Sequence, residues 1–235
     1  KPFAINYKQA HEMIAFARSQ NVFLMEAFWT RFLPHYQQAT QLIADGKVGE
    51  IKYIYAEFGF KPTAPVSPRL YDPSLGGGSL LDIGVYPVFF ALNLLGKPDS
   101  IDAVMTPAKT GIDEQCAIQF RYKNGAIANL FCTFATDLAS GGDIAGEHGR
   151  IRFTHRMHGP TTELEYYPTG GTREQVSFEK AQGNGFEYEA SHVTVCLQKG
   201  LKESPVLTHA NTLLLMETLD AIRAKAGIHY SADLS

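Results

Sequence analysis

The chain has 235 residues, is 45% hydrophobic and 19% charged, and carries a formal net charge of -3 at pH 7. A composition this apolar excludes a disordered chain, and the slight acidity excludes the basic footprint that nucleic acid or an anionic membrane surface demands. What remains is a globular protein of one large or two small domains, whose partner is a small neutral or weakly charged molecule.

In chain order, KPFAINYKQAHEMIAFARSQN passes quickly into an amphipathic helix, with Asn6 and Gln9 at capping-box spacing and Ala10, Met13, Ile14 and Ala17 on one face. NVFLMEA then reads as a buried strand. A helix leading into a buried strand is the second half of a βαβ unit, whose first strand would precede Lys1. Residues 1–27 therefore read as the end of a parallel unit and residues 28–235 as a separate domain. A second helix is predicted over Pro34 to Ala44, stopping at Gly46, followed by a strand from Ile51 to Phe60 rich in β-branched and aromatic residues. The proline-bearing stretch Lys61 to Pro73 is a loop that runs on to the triple glycine Gly76 to Gly78. Ser79 to Leu95 is apolar, of helical length, and closed by Gly96, Lys97 and Pro98.

The runs IDAVMT, EQCAIQFRY and AIANLFCTF alternate like strands, the last two joined at Asn124-Gly125, a strong hairpin signal. RIRFT, TELEYY and EQVSF continue the pattern, the last two through TGGT. Helices return near Tyr188 to Lys199 and from His209 to Ala226. The fold class is α+β: an open, mainly antiparallel sheet of about six strands with helices on one face. Its uncovered face is expected to carry Ile118, Phe120, Leu130, Cys132 and Phe134. Such a face is too apolar for water, which predicts a homodimer through it.

Cys116, Cys132 and Cys196 are odd in number and widely spaced, without a CxxC pair, and read as reduced, buried thiols of a cytoplasmic protein. The longest apolar run, Gly84 to Gly96, contains Pro87 and Asn93 and is shorter than the roughly 18 residues of a membrane span. No signal-peptide pattern opens the chain.

Chemistry concentrates in SLGGGSLLDIGVY, Ser74 to Tyr86. Asp82 lies on an almost wholly apolar helix, where an unpaired carboxylate is costly. At i and i+4, Asp82 and Tyr86 share a helix face and reach one cavity together. The glycines let a ligand or another backbone approach the helix start. Tyr86 can exchange a proton with a substrate hydroxyl if a nearby cation lowers its pKa from about 10. The competing reading is structural: a flexible turn, a locally bonded carboxylate and a core tyrosine. His148, His155 and His158 lack metal-ligand spacing and read as solvent-facing loop residues, with no metal implied. Ser191-His192 lies on a helix without a nucleophile turn.

The combination of the initial KP, MEAFWTRFLP (Met25 to Pro34), GKVGEIKYIYAEFGF (Gly46 to Phe60), GGGSLLDIGVY (Gly76 to Tyr86) and KESPV (Lys202 to Val206) resembles the glucose-fructose oxidoreductase / inositol dehydrogenase / MocA family. Within that family the likeness is to its dihydrodiol dehydrogenase branch, whose members also oxidise aldoses such as xylose. The resemblance implies an N-terminal Rossmann domain for NAD(P), with NADP favoured, of which residues 1–27 are the remnant, and a catalytic, substrate-binding and dimerising domain over residues 28–235. Lys1-Pro2 matches the end of the family's Glu-Lys-Pro motif. Lys1 then joins Asp82 and Tyr86 as a catalytic residue, Lys1 lowering the tyrosine pKa and Asp82 positioning substrate or lysine. The resemblance further implies Trp29, Phe58 and Lys52 at the substrate, and Lys1, Pro2 and Arg31 at the cofactor. A GxGxxG phosphate loop is absent from the sequence, and no strand leads directly into Gly76 to Gly78. The implied activity is hydride transfer between NAD(P) and a sugar, polyol or dihydrodiol hydroxyl. The alternatives are a non-catalytic dimerisation module and an NAD-dependent glycoside hydrolase of the same fold.

Overall fold

The computed structural model describes residues 1–181 and 183–234. Helix α1 (Tyr7–Ser19) begins where Asn6 Oδ1 accepts the Gln9 N–H at 3.0 Å, while Gln9 Oε1 accepts the N–H of Ile5 rather than that of Asn6. It buries Ala10, Ile14 and Ala17 and packs on α5 (His209–Ala226). Met13, expected on that face, is exposed because the buried stripe runs through positions four and seven beyond Ala10. The expected strand over NVFLMEA does not form. A strand needs a neighbour, and the described strands all pair with one another elsewhere; the Leu24 N–H instead meets the Lys202 carbonyl at 3.1 Å.

Helix α2 (Pro34–Ala44) has proline in its first turn, where a missing N–H costs nothing. Strand β1 (Ile51–Gly59) follows as expected. The predicted helix from Ser79 is two things: a π turn over Leu80–Gly84, then α3 (Val85–Leu95). Next come β2 (Ser100–Pro107), β3 (Asp113–Arg121), β4 (Ile127–Thr133), β5 (Gly142–Gly146), β6 (Gly149–Phe153), β7 (Leu164–Pro168) and β8 (Glu174–Val176). Helix α4 (Phe186–Gln198) precedes α5.

The sheet has eight strands rather than about six, in the order β2-β3-β4-β1-β5-β6-β7-β8. Every neighbouring pair is antiparallel except β1 with β4. The strand that sequence reading missed is β5, whose GDIAG reads as a loop. Its glycines answer to space: a Cβ at Gly142 would lie 2.8 Å from Met157 Sδ, and one at Gly146 would lie 2.6 Å from the Glu50 carbonyl.

Helices α3 and α5 cover one face. The face assignment made from sequence is reversed: Ile118, Phe120, Leu130, Cys132 and Phe134 are at most 4% exposed, so they belong to the covered face. Strand side chains alternate, so a shift of one position exchanges the faces completely. The open face carries Tyr53, Tyr55, Val104, Ala117, Gln119, Asn129 and Phe131. By length and apolarity the helical stretch Pro73–Leu95 is sufficient to cross a bilayer, and its most apolar window is mostly buried within this chain, as suits a core helix.

Candidate active site

The triple glycine is crowded by protein. Gly76 and Gly78 have φ of +68° and +118°. A Cβ at Gly77 would lie 2.7 Å from the Arg69 carbonyl, and one at Gly78 would lie 2.4 Å from Asp113 Oδ1 and 3.0 Å from the Tyr230 hydroxyl. The buried Asp113 accepts the Ser79 hydroxyl at 2.7 Å and the Leu80 N–H at 2.6 Å, and burial pushes its carboxyl up to about 6. Tyr230 donates its hydroxyl to the Gly77 carbonyl. The glycines therefore admit backbone and a carboxylate that clamp the start of the π turn. That clamp fixes the aim of Asp82 and Tyr86 a few residues later.

Lys1 donates its ammonium to the main-chain carbonyl of Asp82. Its Nζ lies 4.5 Å from the centroid of the Tyr86 ring. Lys1 is exposed as a residue, yet its ammonium is desolvated in this niche, which lowers its pKa to about 8 against the opposing pull of Asp82. The Asp82 carboxylate turns to Arg69, with Oδ1 2.9 Å from the guanidinium. Arg69 was not anticipated; the close approach of its carbonyl to Gly77 explains how the proline loop brings it there.

Tyr86 is 7% exposed and its hydroxyl accepts the Trp29 indole N–H at 3.0 Å. Phe28, Phe58 and His158 surround the ring, with centroids at 5.3, 5.6 and 5.1 Å. Burial raises the phenol to about 12, Trp29 opposes the shift, and Asp82 and Glu189 add to it. This corrects the expectation that Lys1 lowers it. The ammonium lies over the ring face, and burial of the phenol dominates its pKa.

Trp29 and Phe58, which the resemblance implies at the substrate, both lie against Tyr86; Trp29 also packs on Phe186 of α4, centroids 4.4 Å apart. Lys52 does not join them. It lies near the far end of β1, ion-paired with Glu50 at 2.6 Å and Glu147 at 3.4 Å. Six residues of extended strand separate it from Phe58, about 20 Å. Arg31 follows Trp29 in a 3₁₀ turn, with its guanidinium 5.9 Å from the Tyr36 ring centroid and its buried Nε without a partner. His158 is the plainest correction among the histidines. Rather than facing solvent, it is 7% exposed and stacks flat on Phe58, 3.8 Å between centroids and 13° between planes. Glu189 of α4 is a further unanticipated neighbour, half-buried with Oε2 unpartnered.

A cleft of about 400 Å³ opens beside Lys1, bounded by Pro2, Arg69, Gly76, Leu81 and Asp82. Its mixed walls and paired cations suit one end of a polar, partly aromatic cofactor. Arg31 does not line it. Among the described residues, no group of three or more His, Cys, Asp or Glu side chains could hold a metal ion.

Residues 36–152 match the GFO/IDH/MocA C-terminal domain. Over 98% of its length the chain is 38% identical to trans-1,2-dihydrobenzene-1,2-diol dehydrogenase of Xenopus laevis, covering 71% of that protein. The human enzyme of the same name is 34% identical over 99% of the chain, again with 71% covered. Among solved structures, aldose-aldose oxidoreductase from Caulobacter crescentus, complexed with glycerol, superposes with a TM-score of 0.86 at 23% identity, covering 97% of this chain and 68% of that one. A 3-ketoreductase from Actinomadura kijaniata, complexed with NADP and TDP-benzene, gives a TM-score of 0.84 at 25% identity, covering 96% and 69%. By its match to the C-terminal domain model and its 38% identity over nearly its whole length to a dihydrodiol dehydrogenase, the chain belongs to the GFO/IDH/MocA family of oxidoreductases.

Proposed function

We propose that this chain is the catalytic part of an NAD(P)-dependent oxidoreductase acting on a sugar, polyol or dihydrodiol hydroxyl, with NADP the favoured cofactor. The observation that carries the reading is the Lys1 ammonium set over Tyr86 beside a cleft walled by Arg69 and Asp82. The NADP-bound relative and the dihydrodiol dehydrogenases support it. Lys1, Pro2 and Arg69 would hold the nicotinamide end, and Arg31 would serve only where the cofactor reaches past Trp29. Bound nicotinamide supplies or accepts the hydride.

The chain's own residues handle the proton. In the reductive direction the substrate carbonyl takes it from the Tyr86 hydroxyl, which a pKa of about 12 keeps protonated at neutral pH. Charge developing on the substrate oxygen lies in the field of the Lys1 ammonium. Asp82 anchors Lys1 through its carbonyl and Arg69 through its carboxylate. Trp29 and Phe58 form the apolar wall.

Lys1 carries charge below about pH 8 and loses it above. Carbonyl reduction by the full-length enzyme is therefore expected to fall above about pH 8, tending to tenfold in kcat/KM per pH unit, with Lys1→Met slow and lacking that limb. A wild-type profile flat from pH 7 to pH 10 would remove Lys1 from this role. The activity itself is tested by incubating the full-length protein with NADP and either a trans-dihydrodiol or xylose. Reduced nicotinamide should appear, and its absence with both substrates would refute the reading.

Residues 1–27 fit the end of a nucleotide-binding unit. Met13 and Phe16 on α1 and Leu75 beside the cleft are 45, 68 and 58% exposed, an apolar surface suited to such a unit. The open sheet face fits a second copy of the chain. Val104 is 67% exposed there and borders a shallow groove of about 520 Å³ with Tyr55, Ala117, Gln119, Asn129 and Phe131. Val104→Asp should raise the dimer dissociation constant at least tenfold by sedimentation; an unchanged constant would place the dimer elsewhere. Cys116 and Cys132 face each other across β3 and β4 as free thiols, which supports a cytoplasmic setting.

A further inference from the structure

Beside Tyr86 stands an aromatic side chain that the acid–base chemistry leaves idle, His158. The Trp29 N–H is spent on Tyr86, the Asp82 carboxylate on Arg69, and the Lys1 ammonium on the Asp82 carbonyl. His158 is not spent: among the described residues its Nδ1 is buried without a hydrogen-bond partner. Buried polar atoms in native proteins are nearly always paired, and an orphan costs about 1–3 kcal/mol.

The ring is also held firmly. One face lies on Phe58 and its centroid is 5.1 Å from that of Tyr86. The His158 carbonyl accepts the Thr30 hydroxyl at 2.9 Å, which ties it to the 3₁₀ turn that carries Trp29. The preceding Met157 is fixed as well: its N–H donates to Ser140 and its carbonyl contacts His35 Nε2 at 3.1 Å. Burial, together with the charges of Arg156 and Lys1, pushes the imidazole down to about 3. At neutral pH it is uncharged, with one nitrogen donating and the other accepting.

We propose that His158 determines specificity, its imidazole binding the hydroxyl on the carbon adjacent to the one that reacts at Tyr86. The ligand class is a vicinal diol or an aldose. A monohydroxy alcohol leaves the nitrogen unpaired, and a site built to bond a hydroxyl rejects the analogue that lacks it. This assignment rests on the oxidoreductase reading and sharpens it.

The test compares kcat/KM of the full-length enzyme for a trans-dihydrodiol and for the matching monohydroxy alcohol. His158→Phe keeps a flat ring on Phe58 and removes both nitrogens; it should lower the ratio of the two values at least tenfold, and His158→Gln should restore part of it. An unchanged ratio overturns the assignment, because a packing role moves both substrates together. If the Phe variant does not fold, the wild-type imidazole resonances decide: they should shift with the diol and stay in place with the monohydroxy alcohol, and an equal response overturns the proposal. A wild-type enzyme that oxidises neither substrate refutes the oxidoreductase reading itself, a result distinct from an enzyme that oxidises both with the ratio unaltered.

Discussion

Tyr86→Phe in the full-length enzyme is expected to lower kcat by about two to four orders of magnitude, the usual worth of a positioned acid or base. The ring remains to pack on Phe28, Phe58 and His158. Only the hydroxyl goes, and with it the acceptor for Trp29, a loss of about 1 kcal/mol that the fold tolerates. NADPH affinity, followed by quenching of its fluorescence, should change by less than threefold. Steady-state rates within threefold of wild type would show that the proton travels by another route.

The largest structural effect is expected at Gly78. An alanine there must adopt a φ of +118° and set its Cβ 2.4 Å from Asp113 Oδ1. Either the carboxylate moves, releasing Ser79 and the Leu80 N–H, or the turn does. Strain, crowding and lost hydrogen bonds together are worth roughly 2–4 kcal/mol. Gly125→Ala isolates the strain alone, since Gly125 has a φ of +87° and nothing within 4 Å of its Cβ position; about 1 kcal/mol is expected there. Urea denaturation of both variants makes the comparison. Equal losses would mean that Asp113 yields freely and that the turn is not clamped.

The secondary structure was largely legible because its signals are local. Asn124-Gly125, the Pro34 start of α2 and the alternation in β3 and β4 each fix an element from neighbouring residues. Strand β5 was hidden because Gly142 and Gly146 answer to packing against Met157 and Glu50, which composition does not reveal. The choice of sheet face failed because alternation shows that two faces exist without showing which one the helices cover. Of the three residues that the resemblance implies at the substrate, Trp29 and Phe58 lie against Tyr86, whereas Lys52 pairs with Glu50 and Glu147 near the other end of β1. Arg69 and Glu189 escaped notice, and His158 was read as solvent-facing, because their part depends on loops and on α4 arriving from far along the chain. Tyr86 shows the same limit in its chemistry: a lysine nearby was expected to lower the phenol, and the depth of burial reversed the sign.

The position of β1 carries a consequence for how the molecule is made. It is the seam of the sheet, flanked by β4 and β5, and both partners lie 68 or more residues further along the chain from its last residue, Gly59, or begin beyond it. The meander β2-β3-β4 and the meander β5 through β8 can each close by short hairpins, but neither joins the other except through β1. During synthesis, residues 51–59 therefore emerge early and wait, with one backbone edge unsatisfied until residue 133 has been added and the other until residue 146. Long-range pairing of this kind makes for slow folding, and an apolar, aromatic strand with two open edges is the segment most exposed to wrong partners. The same centrality that holds Phe58 in place against Tyr86 makes its strand depend on two separate stretches of chain that are made long after it.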